Sequence, residues 1–292
     1  MFLRKVRVIY RYKPAAWVHV SGADGFTFLQ GQFTNDLRAL GAVGSSCYNL
    51  LINQKGKVVA DGFVVRGSAD DFWIGSYFSA ASGIKERLEA YVVADDVSIA
   101  DETEAWSGVA LYGAEAESLV APDDGGFVFP GRRGGPALEW IFPRAQEAAV
   151  AARLAELPEI DSAEAERRRI DAGIPAVPRD IGPGDLPNEG ALERDAISFT
   201  KGCYLGQEVM ARLKAMGQVR RRLRRVRGTG APPAAPAALF QGARPAGELR
   251  SVASSENGYT GLALLTLLHL DAAAGLSLAP DGPPVLTPAD AP

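Results

Sequence analysis

Histidine is nearly missing from this chain of 292 residues: His19 and His269 are the only two. Neither a histidine-based catalytic triad nor a histidine-built metal site is therefore expected. Cysteine is as scarce, and Cys47 and Cys203 are too few for a disulfide framework or a zinc site. No apolar run comes near the ~20 residues that span a bilayer, and Met1 to Tyr12 is basic without the apolar stretch of a signal peptide. The expectation is no membrane association and a reducing, cytoplasmic location. A glycine-rich phosphate cradle of the dinucleotide or P-loop kind is also missing, so neither nicotinamide nor ATP is implied. Nor does a net charge of −4 give a general attraction to nucleic acid or to an anionic membrane.

What is present is ordinary globular material, 47% hydrophobic and 23% charged. The length suits two or three compact domains. Trp17 to Val20 alternates as a strand does, and Asp24 can cap a short helix carrying Phe26, Leu29 and Phe33. Residues 47–52 and 58–65 read as two strands joined at Asn53-Gln54-Lys55-Gly56. A further strand is expected over 72–77, then a helix through Ile84, Leu88 and Tyr91. Residues 97–100, 109–112 and 138–142 read as strands, and 114–121, 145–157 and 162–172 as helices, the last stopped by Gly173 and Pro175. Strands and helices alternate in small groups without a regular βα repeat, which favours an α+β fold. Residues 228–236, with Pro232-Pro233, look like a linker. Beyond it 248–253 and 259–268 are strand-like, and the proline-rich end reads as a mobile tail.

The most informative segment is Lys201-Gly202-Cys203-Tyr204-Leu205-Gly206-Gln207-Glu208. It sets a thiol between glycine and an aromatic, with a lysine two residues before it. The thiolate is the reactive form of cysteine, and a nearby lysine favours it. Gly202 and Gly206 let the backbone approach a ligand or partner. A lone cysteine is also a good small core residue, but packing does not need Lys201, Tyr204, Gln207 and Glu208 around it. Cys203 and Lys201 are thus the expected reactive pair, with Tyr204 and Gln207 orienting the loop or its cofactor. Cys47, in an alternating strand, is read as core.

Lys201 to Glu208, continued through Val209, Ala211 and Arg212, resembles the signature of the YgfZ family of folate-binding proteins, relatives of the glycine-cleavage aminomethyltransferase (T-protein). Residues 28–36 (Phe-Leu-Gln-Gly-Gln-Phe-Thr-Asn-Asp), 53–58 (Asn-Gln-Lys-Gly-Lys-Val), 169–175 (Arg-Ile-Asp-Ala-Gly-Ile-Pro) and 186–189 (Leu-Pro-Asn-Glu) fit the same family in the same order. The resemblance thins after about Gly230. It implies a multi-domain, aminomethyltransferase-like α+β body with a small C-terminal β-barrel. The expected division is 1–215 for the body, in two interleaved subdomains, 216–280 for the barrel and 281–292 for a mobile tail.

The resemblance also implies tetrahydrofolate as cofactor. In the related aminomethyltransferases a glutamate precedes the matching Ala-Gly and holds the pterin, so Asp171, one methylene shorter, is carried over as the pterin ligand. Two successive aspartates of those enzymes correspond to Ala60 and Asp61, of which only Asp61 keeps its acid. A solvated helix residue and a strand-edge aspartate are the plainer readings of Asp171 and Asp61. Three functions stay in play. One is a folate-binding accessory protein for iron–sulfur cluster assembly or repair, serving tRNA-modifying iron–sulfur enzymes, with Cys203 sharing a transient cluster with an assembly or client protein. Another is a folate-dependent aminomethyltransferase, so turnover remains open. The third is an RNA-binding module through the six arginines of 220–227. That segment lacks interleaved aromatics and reads more readily as a solvated strand leading into the C-terminal domain, so RNA is the least favoured partner.

Overall fold

The computed structural model describes residues 8–113, 125–217, 219–271 and 273–289. Three antiparallel sheets carry the chain. The first, in the order β3-β4-β5-β2-β6, is built from β2 (Ala16–Ser21), β3 (Ser46–Ile52), β4 (Val58–Arg66), β5 (Asp71–Ser76) and β6 (Ser98–Asp101). Helices α1 (Gly25–Gln32) and α2 (Ala81–Glu89) cover one face through Phe28, Leu29, Ile84 and Leu88, which pack with Val18, Val64 and Ile74. The apolar periodicity of the sequence is therefore what docks these helices.

The second sheet runs β1-β7-β9-β8, with β1 (Val8–Tyr12), β7 (Trp106–Tyr112), β8 (Phe127–Pro130) and β9 (Ala137–Pro143). The two sheets share an aromatic core in which Trp17 stacks 5.6 Å from Trp73 and lies 5.6 Å from Trp106. A Cβ at Gly75 would come within 2.6 Å of the Trp17 ring, so this close approach requires glycine. Strand β1 answers to no expectation from the sequence: Val8-Ile9-Tyr10-Arg11-Tyr12 has no clear apolar–polar alternation. The helix expected over 145–157 shrinks to a 3-10 turn (Arg144–Gln146) and α3 (Glu147–Arg153), and the one expected over 114–121 lies outside the described residues. Helix α4 (Ser162–Asp171) is capped by Asp161, which accepts from the Glu164 amide at 2.8 Å. Helices α5 (Glu193–Ala196) and α6 (Gln207–Met216) complete the body.

The third sheet, in the order β11-β12-β13-β10-β14, contains β10 (Arg221–Gly228), β11 (Ala237–Gln241), β12 (Arg244–Ser255), β13 (Gly258–Thr266) and β14 (Thr287–Pro288). It corrects two readings. Residues 228–236 are no interdomain linker but the connection from β10 to β11 within one sheet. Residues 281–289 are not a tail: β14 pairs with β10, and Leu286 is buried in this sheet's core. The proline-rich composition concealed one buried leucine and a two-residue pairing. The arginine-rich segment is a strand, β10, as expected, but most of it is partly buried rather than solvated. Its Arg221 pairs with Glu189 at 2.8 Å and with Asp185 at 3.0 Å, while Arg225 donates to the Asp171 carbonyl at 2.7 Å. Among the described residues no helix is long and apolar enough to cross a membrane.

Candidate functional site

The loop between α5 and α6 presents Cys203, which is exposed, and anchors nearly everything around it. The amide of Ser198 donates to the Thr34 carbonyl at 3.0 Å, and that of Leu205 to Gly31 at 3.2 Å. Tyr204 is buried in the main core, where burial pushes its hydroxyl up to about 12. Gly206 has φ +82°, and a Cβ there would meet the Asn53 carbonyl oxygen at 2.7 Å. Gln207 is the first residue of α6, its amide donating to the Tyr204 carbonyl at 3.2 Å. Across from it the 53–57 turn packs so closely on α6 that a Cβ at Gly56 would lie 2.7 Å from Val209. Residues 28–36 and 53–57 thus brace the 201–209 segment that carries the exposed sulfur.

Lys201 takes a role other than the expected one. Its side chain is buried, and Nζ donates to the carbonyls of Gln30, Phe33 and Asn35 at 2.6, 2.7 and 2.8 Å. An ammonium has three protons, so all are engaged by backbone and none remains for the Cys203 thiolate. Burial draws this lysine down to about 8. Nearby, Cys47 is half-buried, with its thiol pushed up by the same cause. Gln30, near the end of α1, is also taken up locally: it donates to Asp36 at 2.9 Å and accepts from the Leu37 amide at 2.8 Å.

Asp61 lies on β4, where it is 5% exposed. It accepts from Tyr48 Oη, Ser76 Oγ and Ser79 Oγ, each at 2.8 Å. Burial raises its pKa against the pull of those hydroxyls. A strand-edge surface position is therefore excluded, and the carboxylate faces its own hydroxyl cage. Asp171 ends α4 and pairs with Arg167 at 2.6 Å. It lines an open cleft of about 1190 Å³ between α4 and the β12–β13 hairpin, with Arg227 and Thr260 on the far side. Asp61 does not line this cleft.

A second cavity, of about 420 Å³, opens on the other face of α4 and is lined by Tyr10, Tyr12, Tyr77, Phe78, Arg133 and Arg179 among others. Arg133 is its distinctive residue. The guanidinium is 8% exposed, lies 4.1 Å from the Tyr12 ring centroid and 3.9 Å from that of Tyr77, and pairs through Nε with the fully buried Glu139 at 2.7 Å. Tyr12 and Tyr77 also donate to Glu139, at 2.5 and 2.8 Å. Arg133 Nη2 is buried without a hydrogen-bond partner, an unusual cost for a cationic donor. Sequence reasoning missed this site. The available signals were Tyr10-x-Tyr12, which puts both rings on one face of a strand, and Glu139, a carboxylate amid an apolar strand that needs a buried cation.

Comparison with known proteins agrees with this architecture. Residues 5–124 match the GCVT N-terminal domain, and residues 220–288 the CAF17 C-terminal beta-barrel domain. The tRNA-modifying protein YgfZ of Edwardsiella ictaluri (strain 93-146) is 34% identical over 235 residues, spanning 73% of this chain and 68% of that one. The chain belongs to the YgfZ family. This YgfZ-family chain is also 26% identical to the mitochondrial iron–sulfur cluster assembly factor IBA57 of Mus musculus, covering 88% of its own length and 76% of that protein's. The glycine cleavage system aminomethyltransferase T of Bartonella henselae superposes with a TM-score of 0.81 over 97% of this chain and 86% of that one. At 18% identity that likeness shows the fold alone, the aminomethyltransferase-like α+β arrangement with its added barrel.

Proposed function

We propose that this YgfZ-family chain is a tetrahydrofolate-binding accessory protein for assembling or repairing iron–sulfur clusters, serving iron–sulfur enzymes that modify tRNA. The observation that carries the proposal is the exposed Cys203 sulfur on a loop anchored at Ser198, Lys201, Tyr204, Leu205 and Gly206. Rigid presentation of one thiol suits transient contact with a cluster held by another protein. A cluster ordinarily needs four such ligands, and among the described residues no group of three or more His, Cys, Asp or Glu is placed to hold a metal ion. Cluster contact is therefore shared with a partner protein or a small thiol. The names of its relatives, one tRNA-modifying and one an assembly factor for iron–sulfur clusters, support the same reading.

For the folate, the cavity around Arg133 is the better fit. Tyrosine rings suit a stacked pterin, and the half-exposed Arg179, which also pairs with Glu166 on the cavity wall, suits a carboxylate. The cleft at Asp171 offers a carboxylate already paired with Arg167. Aminomethyl transfer is disfavoured, because Ala60 lacks an acid and Asp61 is enclosed by three hydroxyls.

Calorimetric titration with tetrahydrofolate tests the placement. Arg179→Ala should weaken binding by roughly tenfold, the loss of one charged hydrogen bond of about 1.5 kcal/mol, while Asp171→Asn should bind like the parent. The reverse pattern would move the pterin to the cleft between α4 and the barrel, and no binding at all would remove folate from the account.

A further inference from the structure

Helix α1 ends in an electrostatic problem. Its final carbonyls have no intrahelical partner, its C-terminus carries the negative end of the helix dipole, and it has no basic residue in its last turn. The charge that answers this comes from far along the chain. Lys201 reaches back so that its ammonium sits among the carbonyls of Gln30, Phe33 and Asn35. Three divergent donors meet three convergent acceptors, a geometry that a compact ammonium satisfies and a planar guanidinium does not. The same ammonium lies 5.1 Å from the centroid of the Tyr204 ring.

Downstream of the sulfur, Tyr204 in the core, the Leu205 amide on Gly31 and the tight fit of Gly206 on Asn53 fix the loop. Upstream, Ser198 binds Thr34, after which Thr200 and Gly202 are exposed and a Cβ at Gly202 would meet nothing within 4 Å. Lys201 is the deep anchor on that side of Cys203. We propose that Lys201 is a positioning residue: it fixes the sulfur in space by locking the loop onto the end of α1, and it does not act on the sulfur as a charge. The proposal deepens the reading of Cys203 as the working group and rests on it for its significance.

A nitroxide attached to Cys203 in a Cys47→Ala background reads the position directly. With Lys201 present, the electron paramagnetic resonance spectrum should be dominated by an immobilised component. Lys201→Met retains the aliphatic stem, and far-UV circular dichroism at the same temperature verifies that the fold persists. In that variant the mobile fraction should rise severalfold. Superimposable spectra in the folded variant would overturn the proposal. Should Lys201→Met not fold, the parent itself decides by nitrogen-15 resonance of the lysine ammonium groups. A slowly exchanging Lys201 signal supports the anchor, and exchange as fast as that of surface lysines overturns it. The outcome is independent of the functional reading: a mobilised label with an active Cys203→Ser variant would sink only the function, and an unmoved label with an inactive one only the anchor.

Discussion

Replacing Asp61 separates a structural carboxylate from a working one. Three hydroxyls donate to it inside the body, two to Oδ1 and one to Oδ2. Asp61→Ala leaves the Tyr48 and Ser76 hydroxyls without an acceptor, while Ser79 keeps the Val177 carbonyl at 3.0 Å, at about 1–3 kcal/mol for each unsatisfied group, less than additively. A loss of about 2–4 kcal/mol follows, or roughly 4–12 °C in Tm for a protein of this size. Asp61→Asn keeps one oxygen for Ser76 and Ser79, and its amide can donate to Tyr48 Oη, so about 1.5 kcal/mol or less is expected. The pH dependence has a definite sign. Burial raises the Asp61 pKa in the folded protein, so between the unfolded value near 3.9 and the raised one the folded state binds more protons. The contribution of Asp61 to stability therefore falls as pH rises through that window and is level above it. Asp61→Asn should lack this slope. Urea unfolding at several pH values, with folate titration alongside, gives both readouts. An Asp61→Ala protein within about 1 kcal/mol of the parent, or an Asp61→Asn protein of unchanged stability that no longer binds folate, would refute the structural assignment.

Two other predictions concern the thiols and the third sheet. Iodoacetamide should alkylate Cys203 well before Cys47, and Cys203→Ala should change unfolding stability by no more than about 0.5 kcal/mol, since an exposed side chain contributes little packing; protection of Cys203 until denaturant is added would contradict both. Truncation around the arginine-rich strand should be position-sensitive: a chain ending at Gly228 keeps β10 but loses its partners β13 and β14, so it should be less soluble than one ending at Gly217, and the opposite ranking would show that β10 belongs with the body.

Much of the fold was legible because period and burial coincide. The alternation of 47–52 and 58–65 became β3 and β4, and the apolar spacing of Ile84 and Leu88 became the buried face of α2. The Gly173-x-Pro175 stop bounded the C-terminal end of α4 closely. The site was harder to read, because its decisive contacts join distant positions. That Lys201 sits two residues before Cys203 suggests a charge effect on sulfur, yet the side chain turns towards carbonyls whose orientation depends on where α1 ends. Asp61 reads from sequence as a folate ligand or an edge residue, because sequence does not show that Tyr48, Ser76 and Ser79 converge on it. Arg133 and Glu139 lie on either side of a turn, and their burial depends on Tyr12 of β1, a strand whose Val-Ile-Tyr-Arg-Tyr sequence shows no clear alternation.

The central claim is that the Cys203 thiol serves iron–sulfur maintenance. Its most direct test is the activity of an iron–sulfur tRNA-modifying enzyme in bacterial cells deleted for their own family member. The cells would be supplied with this chain or with its Cys203→Ser variant at equal abundance. The parent should restore tRNA modification and the variant should not, although both fold alike. Full restoration by Cys203→Ser would contradict the account.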